Sequence, residues 1–313
     1  MISSLKPVDR IEFTILVDNC TDMLLSDNNG FVKRPVVKKG MTLLAEHGLS
    51  ILVRVWAGDE THCILMDAGA TDIPLLENAE RLGIDTAYIE EIVLSHGHFD
   101  HFGSLVPVIR AVNSGIPVHM HPGVFSDRRK KNPDGTFSVF PSLNRDLVTT
   151  MGAILNLATG PSLIANNHIM LTGEIERKTS YEHGSPVLEI SDKGEWKKDP
   201  FIDDQSLVMV LRNSGLVVLS GCAHAGIINS VMYAQKITGI DLVYAVIGGF
   251  HLSGQNSDDL IPSTIEGMMS FEPEWVVPLH CTGWDATAAF VAAMPGRVPV
   301  NTVGTTYRFR ADM

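Results

Sequence analysis

The chain has 313 residues, is 45% hydrophobic and 19% charged, and carries a formal net charge of −12. That suits a globular protein with a sizeable core and excludes a general nucleic-acid or membrane-surface binder, because both need a basic face. No run of about 18 apolar residues offers a transmembrane helix. A prior of roughly 150 residues per domain allows two units, or one large domain of two similar halves. The opening stretch MISSLKPVDRIEFTILVDN has only Lys6 as a basic residue before Pro7 and no long apolar core, so it lacks a secretory pattern and the expected location is the cytoplasm. Cys20, Cys63, Cys222 and Cys281 form no CxxC pair and are expected as reduced thiols.

Strands and helices alternate along the chain. Segments 11–19, 49–57 and 61–69 are rich in β-branched and apolar residues and predict strands. Segment 73–83 has apolar residues at helical spacing and a closing glycine, which predicts a helix. A strand over 88–98 runs into a bend, a helix over 104–113 has Pro107 in its first turn, and 117–122 is a short strand. The polar, partly basic stretch from about 125 to 145, with an Asn-Pro-Asp-Gly turn signal, predicts an exposed excursion. The second half predicts strands at 168–175, 206–213, 216–222, 242–252, 274–283 and 302–310. Helices are predicted at 225–239, 257–271, with Ser257 as N-cap, and 285–294. No Gly/Ser/Pro linker divides the halves, so the expectation is one α/β domain over 1–313, two facing mixed sheets with helices outside.

The bend reads LSHGHFDHFG, residues 94–103. It places His96, His98, Asp100 and His101 directly after an apolar strand, at the carboxyl edge where α/β folds usually place sites. Imidazole and carboxylate together suit zinc, iron or manganese. The spacing is not the helical HExxH pattern. In a loop, His96 and His98 point one way and Asp100 and His101 another, which can feed two adjacent ions.

The run H-G-H-F-D-H resembles the HxHxDH signature of the metallo-β-lactamase superfamily, and MDAGAT (66–71) resembles the Asp-Gly turn upstream of it. EHGLS (46–50), SGCAHAGIIN (220–229), IGGFHL (247–252) and PLHCTG (278–283) resemble a subgroup of metal-dependent hydrolases grouped with an archaeal dihydropterin–ribofuranosylaminobenzene phosphate synthase. The resemblance implies an αββα sandwich and a two-metal centre. It implies that His280, at a late strand end, completes the second metal. Where the superfamily has a bridging aspartate this chain has Cys222, with His224 two residues on; either could bind metal, and His224 is favoured, with Cys222 packed behind it. His251 is a further ligand or a proton donor. The usual third ligand of the first metal is absent, and Asp203 or Asp204 in FIDDQSL substitutes for it. Of the other histidines, His47 is a substrate or supporting contact, at most one of His119 and His121 approaches the pocket, and His62, His168 and His183 take edge, surface or core roles.

Two divalent ions, zinc first and iron or manganese next, would share a hydroxide and polarise a carbonyl or phosphoryl oxygen. Asp100 and His251 are the expected catalytic residues. The basic run that includes Arg128 and Arg129, if folded over the pocket, favours a small anionic substrate such as a phosphate ester. The leading expectation is therefore a metal-dependent hydrolase. The alternatives are a transferase joining a pterin diphosphate to a ribosylated aminobenzene phosphate, and a non-catalytic ligand sensor. An oxygen-reducing di-iron member would need a flavin partner domain.

Overall fold

Alternation along the apolar strands fixes which way each sheet faces. In Ser50–Ala57, Ile51, Val53 and Val55 enter one cluster and Leu52 another; in Glu60–Met66, Ile64 and Met66 go one way and Cys63 and Leu65 the other. This is the two-residue period of a pleated strand with both faces covered. The computed structural model describes residues 5–38, 41–112, 115–254 and 257–311, with the side chains of residues 257 and 258 outside the description. The expected Ser257 cap and residue 113 of the second predicted helix lie outside the described residues.

Eight strands form the first sheet, in the order Val32–Lys33, Thr306–Arg310, Arg10–Val17, Ser50–Ala57, Glu60–Met66, Glu91–Val93, Pro117–Met120 and Ile154–Leu157. Six form the second, in the order Ser162–Ile164, Ile169–Leu171, Ser206–Leu211, Gly215–Ser220, Val243–Gly249 and Trp275–Leu279. Between them Phe13, Ile15, Ile51, Val53 and Ile64 meet Leu207, Met209, Val217, Leu219 and Ile247 in one buried cluster. Helices Pro74–Arg81, Leu105–Ala111 and Arg145–Thr150 cover the outer face of the first sheet through Leu75, Leu105, Val108 and Val148. Helices Ile227–Thr238, Ser257–Ser270 and Trp284–Ala293 cover the outer face of the second through Val231, Met268 and Phe290. The four layers, helix–sheet–sheet–helix, are the predicted αββα sandwich. Among the described residues no helix is long and apolar enough to cross a membrane.

Register brings the functional strand ends to one edge. Met66 pairs with Val93, Ser220 with Gly248, and Gly249 with Leu279, all in parallel strands. The chain leaves these strands at Asp67, at the bend after Val93, at Gly221, at Phe250 and at His280. The predicted strand 88–98 shrinks to Glu91–Val93 because Thr86–Tyr88 forms a 3₁₀ turn capped by the Asp85 carboxylate, and the residues past Val93 turn out of the sheet.

The excursion is exposed over most of 130–139, as expected, but it is paired into a sheet. Arg128–Lys131 pairs with Phe137–Val139 on one side and with Leu188–Asp192 on the other, and Glu195–Lys198 completes a third, four-stranded sheet. Arg128 is buried: its guanidinium meets Asp199 at 2.8 Å and Asp203 at 2.7 Å and donates to the Gly97 carbonyl at 3.2 Å. Arg129 pairs with Glu189 at 2.7 Å and lies over the rings of Phe137 and Trp196. Neither arginine is a free anion receptor, which corrects the substrate-binding role expected for both. Their acidic partners, Glu189, Asp199 and Asp203, stand 60 or more residues downstream, so the local charge run could not show that it was already neutralised. Arg128→Met leaves two buried carboxylates without their cation. It is expected to lower stability by about 3–5 kcal/mol, seen as a lower denaturant midpoint at unchanged slope.

Candidate metal centre

One buried carboxylate organises the bend. Asp67, at the end of Glu60–Met66, accepts the Ser95 N–H at 2.7 Å on Oδ1. Its Oδ2 accepts the Ser95 hydroxyl at 2.7 Å and meets His101 Nδ1 at 2.7 Å. The two ends of the bend are thereby fixed to the same side chain. Gly221 makes room for this, because a Cβ there would overlap the Ser95 side chain. Between those ends Phe99–His101 forms a single 3₁₀ turn, which brings the His101 ring back beside His96, 4.2 Å between ring centroids.

Three imidazoles form a first ligand set. His96 Nε2 and His98 Nδ1 lie 3.0 Å apart, and His224 Nε2 lies 3.1 Å from the same His98 Nδ1. All three rings are buried. Burial, then the other histidines and Arg128, hold each ring well below the ordinary histidine value, so they are neutral and their lone pairs are available. Nitrogens at about 2.0–2.1 Å from a tetrahedral zinc stand roughly 3.3 Å apart, so the cluster has the spacing of a metal tripod.

A second set adjoins it. His280 Nε2 lies 3.3 Å from Asp100 Oδ2, and His101 Nε2 lies 3.8 Å from that oxygen and 3.1 Å from Cys222 Sγ. His280 Nε2 is buried with no hydrogen-bond partner, as a ligand atom short of its ion would be. Burial opposes ionisation of Asp100, but His101, His280 and His98 outweigh it and hold the carboxyl well below the usual range. Burial likewise opposes charge on His101, and Asp67 and Asp100 overcome it and push that ring up to about 9. Cys222 Sγ lies within 4.8 Å of the ligand nitrogens of His96 and His101 and, in a separate grouping, of His280. It therefore stands between the two sets. The donors suit a thiophilic or borderline divalent metal.

The structure thus brings together His96, His98, Asp100, His101, His224 and His280. It places Cys222 within the cluster rather than behind it; Ala223, at φ 52°, turns the chain so that Cys222 and His224 both reach inward. Asp203 and Asp204, expected to substitute for a ligand, each engage one oxygen and leave the other, Oδ1, buried without a hydrogen-bond partner. Asp203 accepts the Gly97 N–H at 2.9 Å and pairs with Arg128, while Asp204 accepts the Ala225 N–H at 2.9 Å. Burial, against the Ala225 amide and with the charge of Asp203, pushes the Asp204 carboxyl up to about 7. Both aspartates brace the ligand loops. The His251 ring lies tilted beside His224, 4.3 Å between ring centroids, and its Nδ1 has no hydrogen-bond partner. His47 is 68% exposed at the rim, 3.5 Å from Asp100. Phe201 stacks on His224 at 4.4 Å, and with Phe140 it gives the cluster an apolar wall.

The roles of Ser95 and Asp67 could not be read from the sequence. The signal for Asp67 was an acidic residue closing an apolar strand; Ser95 carried none. Asp67→Asn keeps the shape of that side chain but loses the charge that orients His101, and it is expected to weaken metal binding roughly 10–100-fold. Chelator-competition titration of the folded variant measures this.

Three comparisons with known proteins agree with this architecture. Residues 44–187 match the family model of the metallo-beta-lactamase superfamily. The chain is 32% identical to the 7,8-dihydropterin-6-methyl-4-(beta-D-ribofuranosyl)-aminobenzene-5'-phosphate synthase of Methanocaldococcus jannaschii, over 79% of this chain and 84% of that one. An uncharacterised protein of the same organism is 31% identical over 84% of this chain and 91% of its own. The crystal structure of a metal-dependent hydrolase of the beta-lactamase superfamily superposes with a TM-score of 0.74 at 26% identity, covering 97% of this chain and all of that one. Fold, signature and relatives converge on one conclusion: the chain belongs to the metallo-beta-lactamase superfamily.

Proposed function

We propose that this protein is a metal-dependent hydrolase of a small ester or phosphate-containing substrate. The observation that carries the reading is the pair of adjoining buried ligand sets, His96–His98–His224 and Asp100–His101–His280, with the Cys222 sulfur between them. A thiol among imidazoles and a carboxylate favours zinc or iron over manganese, magnesium or calcium. Ions held there would acidify water toward neutral pH and polarise a carbonyl or phosphoryl oxygen.

The chain's own groups divide the remaining work. Asp100, kept ionised by its histidine neighbours, accepts a hydrogen bond from the attacking water and holds it in line. His251, beside His224 with a free ring nitrogen, protonates the leaving group. His47, exposed at the rim, meets the substrate as it enters. Phe140 and Phe201 keep bulk water from the ligand rings, which strengthens electrostatic interactions inside. Arg128 and Arg129 are committed elsewhere, so recognition of an anionic group falls to the bound cations.

The 32% identity to a synthase favours a second reading, a transferase joining a pterin diphosphate to a ribosylated aminobenzene phosphate. Product analysis separates the two. A hydrolase places oxygen from labelled water in its product; a transferase releases pyrophosphate and joins two substrates.

His98→Ala is expected to lose most bound metal and activity while circular dichroism shows the fold intact. Native metal stoichiometry in that variant would refute the site. His251→Gln is expected to reduce turnover much more than metal content, by the 10²–10⁴-fold that a positioned acid contributes. Equal losses of metal and turnover would make His251 a ligand instead.

A further inference from the structure

Glu60 opens the strand that Asp67 follows, so it lies at the opposite end of the sandwich from the metal centre. Two histidines meet its carboxylate there. His62 Nε2 lies 3.6 Å from Glu60 Oε2, and His168 Nε2 lies 3.3 Å from the same oxygen. Both distances exceed the 2.7–3.2 Å of an N–H···O hydrogen bond. Both match the roughly 3.4 Å between neighbouring ligand atoms of a tetrahedral zinc with bonds of about 2.0–2.2 Å. His62 Nε2 is buried with no hydrogen-bond partner. The other ring nitrogen, Nδ1, meets Glu90 Oε2 at 2.8 Å. A carboxylate on the far nitrogen is the arrangement that orients a ligating imidazole and raises its basicity. His168 is 96% buried, since only 4% of it is exposed, and Asn166 Nδ2 donates to Glu60 Oε2 at 2.7 Å and holds it in place.

We propose that Glu60, His62 and His168 form a separate structural site for zinc or a similar borderline divalent ion, oriented by Glu90. Glu60, half-exposed, leaves the outer side of the ion to water. Glu60 and His62 belong to the first sheet, whereas His168 sits between Ser162–Ile164 and Ile169–Leu171 of the second. An ion there clips the two sheets together at the end the metal centre does not reach.

The test is zinc uptake by equilibrium dialysis followed by metal counting. The wild type is expected to hold one more ion per chain than the His62→Gln/His168→Gln variant, and zinc is expected to raise the melting temperature of the wild type by more. Glu90→Gln is expected to weaken the extra ion roughly 10–100-fold. Equal stoichiometry in wild type and double variant overturns the proposal. Should the double variant fail to fold, zinc-edge anomalous scattering from zinc-soaked wild-type crystals decides: a peak among the three side chains supports the site, and its absence overturns it. The His98→Ala variant keeps these side chains, so loss of the catalytic ions and loss of this one are read separately.

Discussion

The Asp67 carboxylate receives two hydrogen bonds from Ser95 and one contact from His101, and so it closes the bend into a loop of fixed shape. The side chain is fully buried, and a buried carboxylate is stable only when its lone pairs are satisfied. The bend is therefore held by the same requirement that keeps water out of it. His96 and His98 can then face His224, and Asp100 and His101 can face His280, without further support from solvent.

Backbone geometry is bent to the same end. Asp67, Ala223, His251 and His280 adopt φ between 46° and 60°, a region that L residues enter at a cost of order 1–3 kcal/mol each. Each is the residue where a strand turns into a ligand loop, or lies one or two positions beyond. Packing from both sheets outweighs that strain, and the side chains converge instead of following their strands outward.

Much of this was legible in the chain. Apolar runs ending in Gly, Asp or His marked the strands, and the density of histidines in LSHGHFDHFG marked the bend. What was not legible was pairing over distance. Whether Cys222 or His224 faced inward depended on the turn at Ala223. The partners of Asp203 and Asp204, Arg128 and the Gly97 and Ala225 amides, could not be read from the chain either. The basic run looked like a solvated loop because its counter-charges lie far along the chain, Glu189 in a strand the sequence did not mark and Asp199 just past another.

The ligands come from segments as far apart as positions 96 and 280, each at the end of a different strand. Such a constellation has high contact order, so it completes late, after both sheets have docked. Any cation that recognised only the docked arrangement could not template the early steps of folding. It would act afterwards by mass action, withdrawing the finished molecule from the unfolding equilibrium.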